Sequence, residues 1–220
     1  MVTSERLAIS GYEDEPVPNE LLRQADETDH LAVLLPGLGY TCDMPLFYYA
    51  ETMLLDAGAD VLRIEYAYRH LPGYGDLSAD ERLGRLFADA TAAVRAGLGQ
   101  RAYRRVTLVG KSLGTMAMGA ILGELTDHAH EVRSVWLTPL FRDDDLRAGI
   151  RGHAGSSLVA IGTTDDHYQP TALDELRNTG AEVVVVEGAD HSLDIPRDPV
   201  ASVAAVGQVV AAMRTFIASG

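Results

Sequence analysis

Lysine is nearly missing from this chain: Lys111 is the only one, among 18 basic and 32 acidic residues in a length of 220. The formal net charge of −14 makes a surface that repels nucleic-acid phosphates and anionic membranes, so neither is expected as a partner. Cysteine is as scarce. Cys42 stands alone, which excludes an intrachain disulfide and suits a reducing compartment. The opening residues Met1-Val2-Thr3-Ser4-Glu5-Arg6 carry no apolar signal core. No stretch reads as apolar for long enough to span a bilayer, and the most apolar tail, 201–217, contains Gln208 and Arg214 and reads as a packed helix. Histidines and carboxylates fall into no zinc spacing, so no metal or other cofactor is expected. These absences together lead to the expectation of a cytoplasmic protein, a monomer or a homodimer.

What the chain does have is apolar material, 47% of it, enough for one domain with a large core and no spare length for a second. The first thirty residues are less regular, with short strands expected at Leu7-Ala8-Ile9 and at 17–23. From Leu31-Ala32-Val33-Leu34-Leu35 onward the pattern alternates. Strands are expected at 31–35, 61–66, 106–109, 132–137, 157–161 and 181–187. Helices are expected at 45–57, from Ser78 to about 97, after the 106–109 strand, at 171–178 and from about Pro199. Ser78 with Glu81 three residues on makes a capping box. Strands alternating with helices imply βαβ units and a mostly parallel sheet covered on both faces, which explains the continuous runs of Val, Leu and Ile. In such sheets ligands bind beyond the carboxyl ends of the strands, so the residues just after each strand carry the chemistry.

After the strand at 106–109 comes Gly110-Lys111-Ser112-Leu113-Gly114, which fits G-x-S-x-G, a sharp strand-to-helix turn with the serine at its apex. Taken alone, the five residues fit a glycine-rich turn equally well. The likeness of Gly110-Lys111-Ser112 to the end of a phosphate-binding loop fails, because Arg105 stands where that loop needs a glycine. A serine nucleophile needs a base, and the base an orienting acid. The strand at 157–161 runs into Gly162-Thr163-Thr164-Asp165-Asp166-His167, and the strand at 181–187 runs into Gly188-Ala189-Asp190-His191. His191, after the last strand, is the base candidate. Asp165 is preferred to Asp166 as the acid, and Asp190 reads as a turn residue. His30, His128, His130 and His153 lie in less telling places, and His167 comes too early in the chain. Pro36-Gly37-Leu38-Gly39 closes the strand at 31–35, and its Leu38 N–H, with that of Leu113 after the serine, is the candidate oxyanion hole.

In these four features the chain resembles the α/β-hydrolase family, from about Leu31 to the C-terminus. Its size is similar to that of the small lidless, dienelactone-hydrolase-like members, which carry cysteine where this chain has Ser112. Pro36 stands where many relatives have histidine. The resemblance implies an α/β-hydrolase fold without a large lid, and a serine hydrolase cleaving a small-molecule carboxylic ester or thioester. An acyltransferase on the same residues, or a non-catalytic binding protein that keeps the fold, are the alternatives. Residues 138–155 leave room only for a small cap. Tyr40, Met44, Tyr66, Tyr68, His70 and Phe141 follow strand ends and are candidates to line the pocket, although each taken singly reads more readily as core or surface packing. Lys111 reads as filling a surface position.

Overall fold

Leucine, valine and isoleucine in unbroken runs need cover on both faces, and the computed structural model of the chain provides it. It describes residues 1–66 and 68–219, with no side chains described at 126–128. Eight strands form one sheet: β1 (Val2–Glu5), β2 (Asn19–Gln24), β3 (His30–Leu35), β4 (Asp60–Ile64), β5 (Arg105–Lys111), β6 (Glu131–Leu137), β7 (Ser157–Gly162) and β8 (Glu182–Val186). Their spatial order is β1-β2-β4-β3-β5-β6-β7-β8. β2 is antiparallel to both its neighbours and the other pairs are parallel, so β2 alone runs against the rest.

Six α-helices pack on the sheet, five between strands and the last after β8: α1 (Pro45–Asp56), α2 (Ala79–Leu98), α3 (Leu113–His128), α4 (Asp144–Gly152), α5 (Pro170–Asn178) and α6 (Pro199–Ala218). One face of the sheet carries α1 and α6, with Leu46, Phe47, Leu54, Val209, Met213 and Phe216 buried against Leu34, Val61, Val109 and Leu158. The other face carries α2 to α5, around Trp136, Leu86, Ile121, Ile150 and Leu173. Every residue of β3 is buried, as a strand covered on both faces requires. From β3 the chain goes out to β4 and then crosses back to β5 on the other side. That reversal opens a crevice at the carboxyl ends of β3 and β5.

The capping box forms: Ser78 Oγ accepts from Glu81 N, and Ser78 N donates to Glu81 Oε2 at 2.7 Å. Two expectations are corrected and one is met. Leu7-Ala8-Ile9 is not a strand, and the first strand is the exposed edge β1. The apolar triad is instead a loop whose Ile9 is buried, pinned by the Asn19 side chain, which accepts from Leu7 N and donates to Leu7 O. Residues 138–155 form no large lid, as expected. Their helix α4 packs beside α3 and α5 as the ordinary crossover from β6 to β7. Finally, α6 is by length and composition apolar enough to cross a membrane, with a mean hydropathy of 1.6 and 22% of that window buried. Its buried stripe, Ala205, Val209, Met213 and Phe216, lies on α1 and the sheet, while Val200 and Val203 face outward.

Candidate active site

β5 ends at Lys111 and α3 begins at Leu113, so Ser112 alone reverses the chain, at φ 52° and ψ −116°. A non-glycine residue held there stores about 1–3 kcal/mol of strain. The surroundings enforce it. Ser112 N donates to Leu137 O at 3.0 Å, and Ser112 O accepts from Thr115 N at 2.9 Å and from Thr115 Oγ1 at 2.6 Å. Glycine is favoured on either side for separate reasons, and at Gly114 the obstacle is backbone. A Cβ on Gly110 would overlap the Met118 sulfur of α3, and one on Gly114 would overlap the Leu35 carbonyl at the end of β3.

From Ser112 Oγ a hydrogen-bonded series runs inward. His191 Nε2 lies 2.7 Å from Ser112 Oγ, and His191 Nδ1 lies 2.8 Å from Asp165 Oδ2. The Asp165 side chain is wholly buried, while that of His191 is 40% exposed, so the base meets solvent and the acid does not. Burial pushes the Asp165 carboxyl up. The bond to His191, the His167 N–H at 2.8 Å and the two neighbouring imidazoles more than offset that, and the net shift is downward. Asp166 is exposed, and among the described residues its carbonyl alone is engaged, by Arg142. The acid and base loops touch so closely that a Cβ on Gly162 would overlap the Ala189 carbonyl. Asp190 is a turn residue, its carboxylate accepting from the N–H groups of Ser192 and Asp194.

The loop after β3 runs past the serine: a Cβ on Gly37 would lie 3.3 Å from Ser112 Cβ. Gly37 N is taken by Tyr40 O, whereas the N–H groups of Leu38 and Leu113 have no acceptor among the described residues. Leu113 sits at the first position of α3, where the helix dipole adds positive potential. Leu113 follows the serine in the chain and Leu38 follows Gly37, so the two free donors stand on the two segments that flank Ser112.

An esterase from Pyrococcus furiosus superposes on this chain with a TM-score of 0.68 at 15% identity, covering 99% of this chain and 91% of that one. A lidless α/β serine hydrolase from Xanthomonas campestris gives 0.64 at 16% identity, covering 99% and 94%. This chain has the α/β-hydrolase fold. At these identities the likeness is one of fold. No protein-family model matches the sequence, and neither does any curated protein.

Within that α/β-hydrolase fold, several residues sit differently from their expected places. Tyr66, Tyr68 and Phe141 are 8%, 3% and 0% exposed and belong to the core rather than to a pocket wall. Tyr66 stacks on Tyr68, whose hydroxyl donates to Asp89 at 2.7 Å, and Phe141 packs with Leu146 under α4. They follow strand ends as expected, but the loops fold back over the sheet and bury them. Tyr40 is half-buried, its hydroxyl accepting from Leu46 N at the start of α1. Met44, His70 and Leu38 are exposed. The His128 side chain lies outside the described residues.

Two residues at the site escaped the sequence reading. His167, set aside on chain order, gives its N–H to Asp165 and lays its ring 5.7 Å from that of His191. Burial lowers its pKa. Lys111 is not on the surface: it is 2% exposed, and its ammonium reaches Thr138 Oγ1 at 2.8 Å and the His191 carbonyl at 2.7 Å. The alternation that puts Val109 in the α1–α6 core carries Lys111 to the same face one pleat later.

Proposed function

We propose that the protein is a serine hydrolase that cleaves a small carboxylic ester or thioester through an acyl-enzyme on Ser112. The observation that carries the reading is the hydrogen-bonded series Asp165–His191–Ser112, with the serine held at positive φ. Ser112 Oγ attacks the carbonyl carbon while its proton passes to His191 Nε2. The Asp165 carboxylate, kept ionised by its bonds, holds Nδ1–H and stabilises the imidazolium. Charge on the carbonyl oxygen is met by the N–H groups of Leu38 and Leu113. Loss of one such donor typically lowers kcat by about 10²–10³. Collapse breaks the C–O or C–S bond, and the leaving group takes the proton back from His191. Water then repeats the sequence on the acyl-enzyme and frees the acid. With α4 in the helix layer, no helical cap lies over the serine among the described residues, which favours small, accessible acyl groups.

Labelling with a fluorophosphonate probe tests this directly. Wild type is expected to be modified at Ser112, with Ser112→Ala and His191→Ala inert. A folded wild type that takes no label overturns the reading. Short-chain aryl esters and thioesters then rank the substrate class.

A further inference from the structure

The single lysine of the chain is buried directly beside the serine, and nothing in the chemistry just described uses it. We propose that Lys111 is a positioning residue: its ammonium grips the main chain of His191 and so sets the distance between the imidazole and Ser112. The proposal rests on the serine-hydrolase reading of that site.

Packing alone does not call for a lysine here. An ammonium taken out of water is costly unless its donors are satisfied, and a methionine would fill similar space without that penalty. Lys111 forms no ion pair among the described residues. Instead its donors reach three separate loops. Nζ donates to Thr138 after β6 and to the His191 carbonyl after β8, and it lies 4.8 Å from the ring centre of Tyr40 after β3. These are the loops that surround the serine.

The bond to His191 closes a ring. Lys111 is joined covalently to Ser112, its Nζ to the His191 carbonyl, and His191 Nε2 to Ser112 Oγ, the last two at 2.7 Å each. Nucleophile and base are thereby linked twice. Among the described residues, the other hydrogen bonds of the 190–194 backbone are internal to their loop: Asp190 N to Asp194 O, Leu193 N to Asp190 O, and Ser192 N and Asp194 N to the Asp190 carboxylate. The Lys111 bond ties the peptide of His191 itself to the end of β5. A misplacement of about 1 Å at a reacting group can cost on the order of 10²-fold in rate.

The grip is pH-sensitive. Burial pushes Lys111 down to about 8, while the carboxylates of Asp165, Asp190 and Asp194 pull it back up. Among the described residues, the other titratable groups at the ammonium are the Tyr40 phenol, which burial raises to about 12, and His191. Above pH 8 the amine turns neutral and loses its attraction to the Tyr40 ring and part of its hold on the carbonyl.

The test compares wild type with Lys111→Met, and with Lys111→Gln as a second variant. Three quantities are read: the melting temperature, the rate of fluorophosphonate labelling, and the downfield proton resonance of the His191 Nδ1–H bonded to Asp165. The methionine variant is expected to melt no lower than wild type, to label 10- to 100-fold more slowly, and to show a shifted or broadened resonance. With an aryl ester, kcat falls while KM holds. The wild-type rate should decline as pH rises through about 8, and the methionine variant should lack that decline. Labelling at the wild-type rate with an unchanged resonance overturns the proposal. So does a slowdown that tracks loss of the folded protein. A wild type that never labels would instead remove the hydrolase reading, and the resonance would still decide whether Lys111 holds His191.

Discussion

Two buried titratable side chains lie at opposite ends of neighbouring strands. Lys111 closes β5 at the serine; His30 opens β3 at the far end, 7% exposed, with Nε2 on Thr107 Oγ1 at 2.8 Å and Nδ1 without a partner among the described residues. Burial pushes His30 down to about 4 from the usual 6.5. Between those values the unfolded chain holds a proton that the folded chain refuses. Stability is therefore full above pH 6.5 and falls as pH drops toward 4, by on the order of 3 kcal/mol. His30→Gln, which cannot titrate, is expected to flatten that slope in urea unfolding series run at stepped pH. An unchanged slope would move the acid sensitivity elsewhere. Asp165 acts in a lower window: its pKa is depressed, so its contribution is complete above the usual carboxylate range and lost as pH falls through the folded value. Ser112, Asp165 and His191 were readable in the sequence because each follows a strand in the order the fold demands. Burial of Lys111 was not, since the loops that cover it come from distant parts of the chain.

Helices and loops were readable where their signals were local. Ser78 and Glu81 announced α2, and Ser78→Ala is expected to destabilise by about 1 kcal/mol in chemical denaturation without slowing Ser112 labelling. α4 gave no such signal, because its buried face is only Leu146 and Ile150 in a stretch crowded with Asp, Arg and Gly. Its cap exists: the Asp143 side chain accepts from Leu146 N at 2.7 Å. Within it, Gly149 has an ordinary helical backbone, and a Cβ there would meet nothing within 4 Å. Gly149→Ala should therefore raise the unfolding free energy by about 0.5–1 kcal/mol. Gly162→Ala is the opposite case. Its Cβ would strike the Ala189 carbonyl and push the His191 loop away from Asp165, so Ser112 labelling should fall sharply. Equal behaviour of the two glycine variants would contradict the close approach of the acid and base loops. The sequence shows both as glycine; only the fold separates one that is needed from one that is incidental.

Across the whole molecule, 32 acidic residues face 18 basic ones, and many of the latter are already paired locally. Arg63 alone lies among Glu20, Asp43, Glu51 and Glu65. Arg63 is itself largely sheltered, at 15% side-chain exposure, and pairs exposed on the surface contribute roughly 0–1 kcal/mol each, so salt removes little by weakening either kind. The uncompensated charge of −14 is a different matter, because its self-repulsion acts over the whole surface and is screened beyond about 10 Å at 0.1 M salt. The same field opposes the approach of any anion to Ser112. If the protein hydrolyses esters, kcat/KM for a negatively charged aryl ester should rise as sodium chloride goes from about 10 to 200 mM, while a neutral ester of the same size should hardly respond. The rise belongs in KM and the encounter rate, since the bonds among Ser112, His191 and Asp165 are direct contacts of 2.7 and 2.8 Å, far inside the screening length. Identical salt profiles for the two esters would mean that the local charges at the crevice cancel the field of the rest of the molecule.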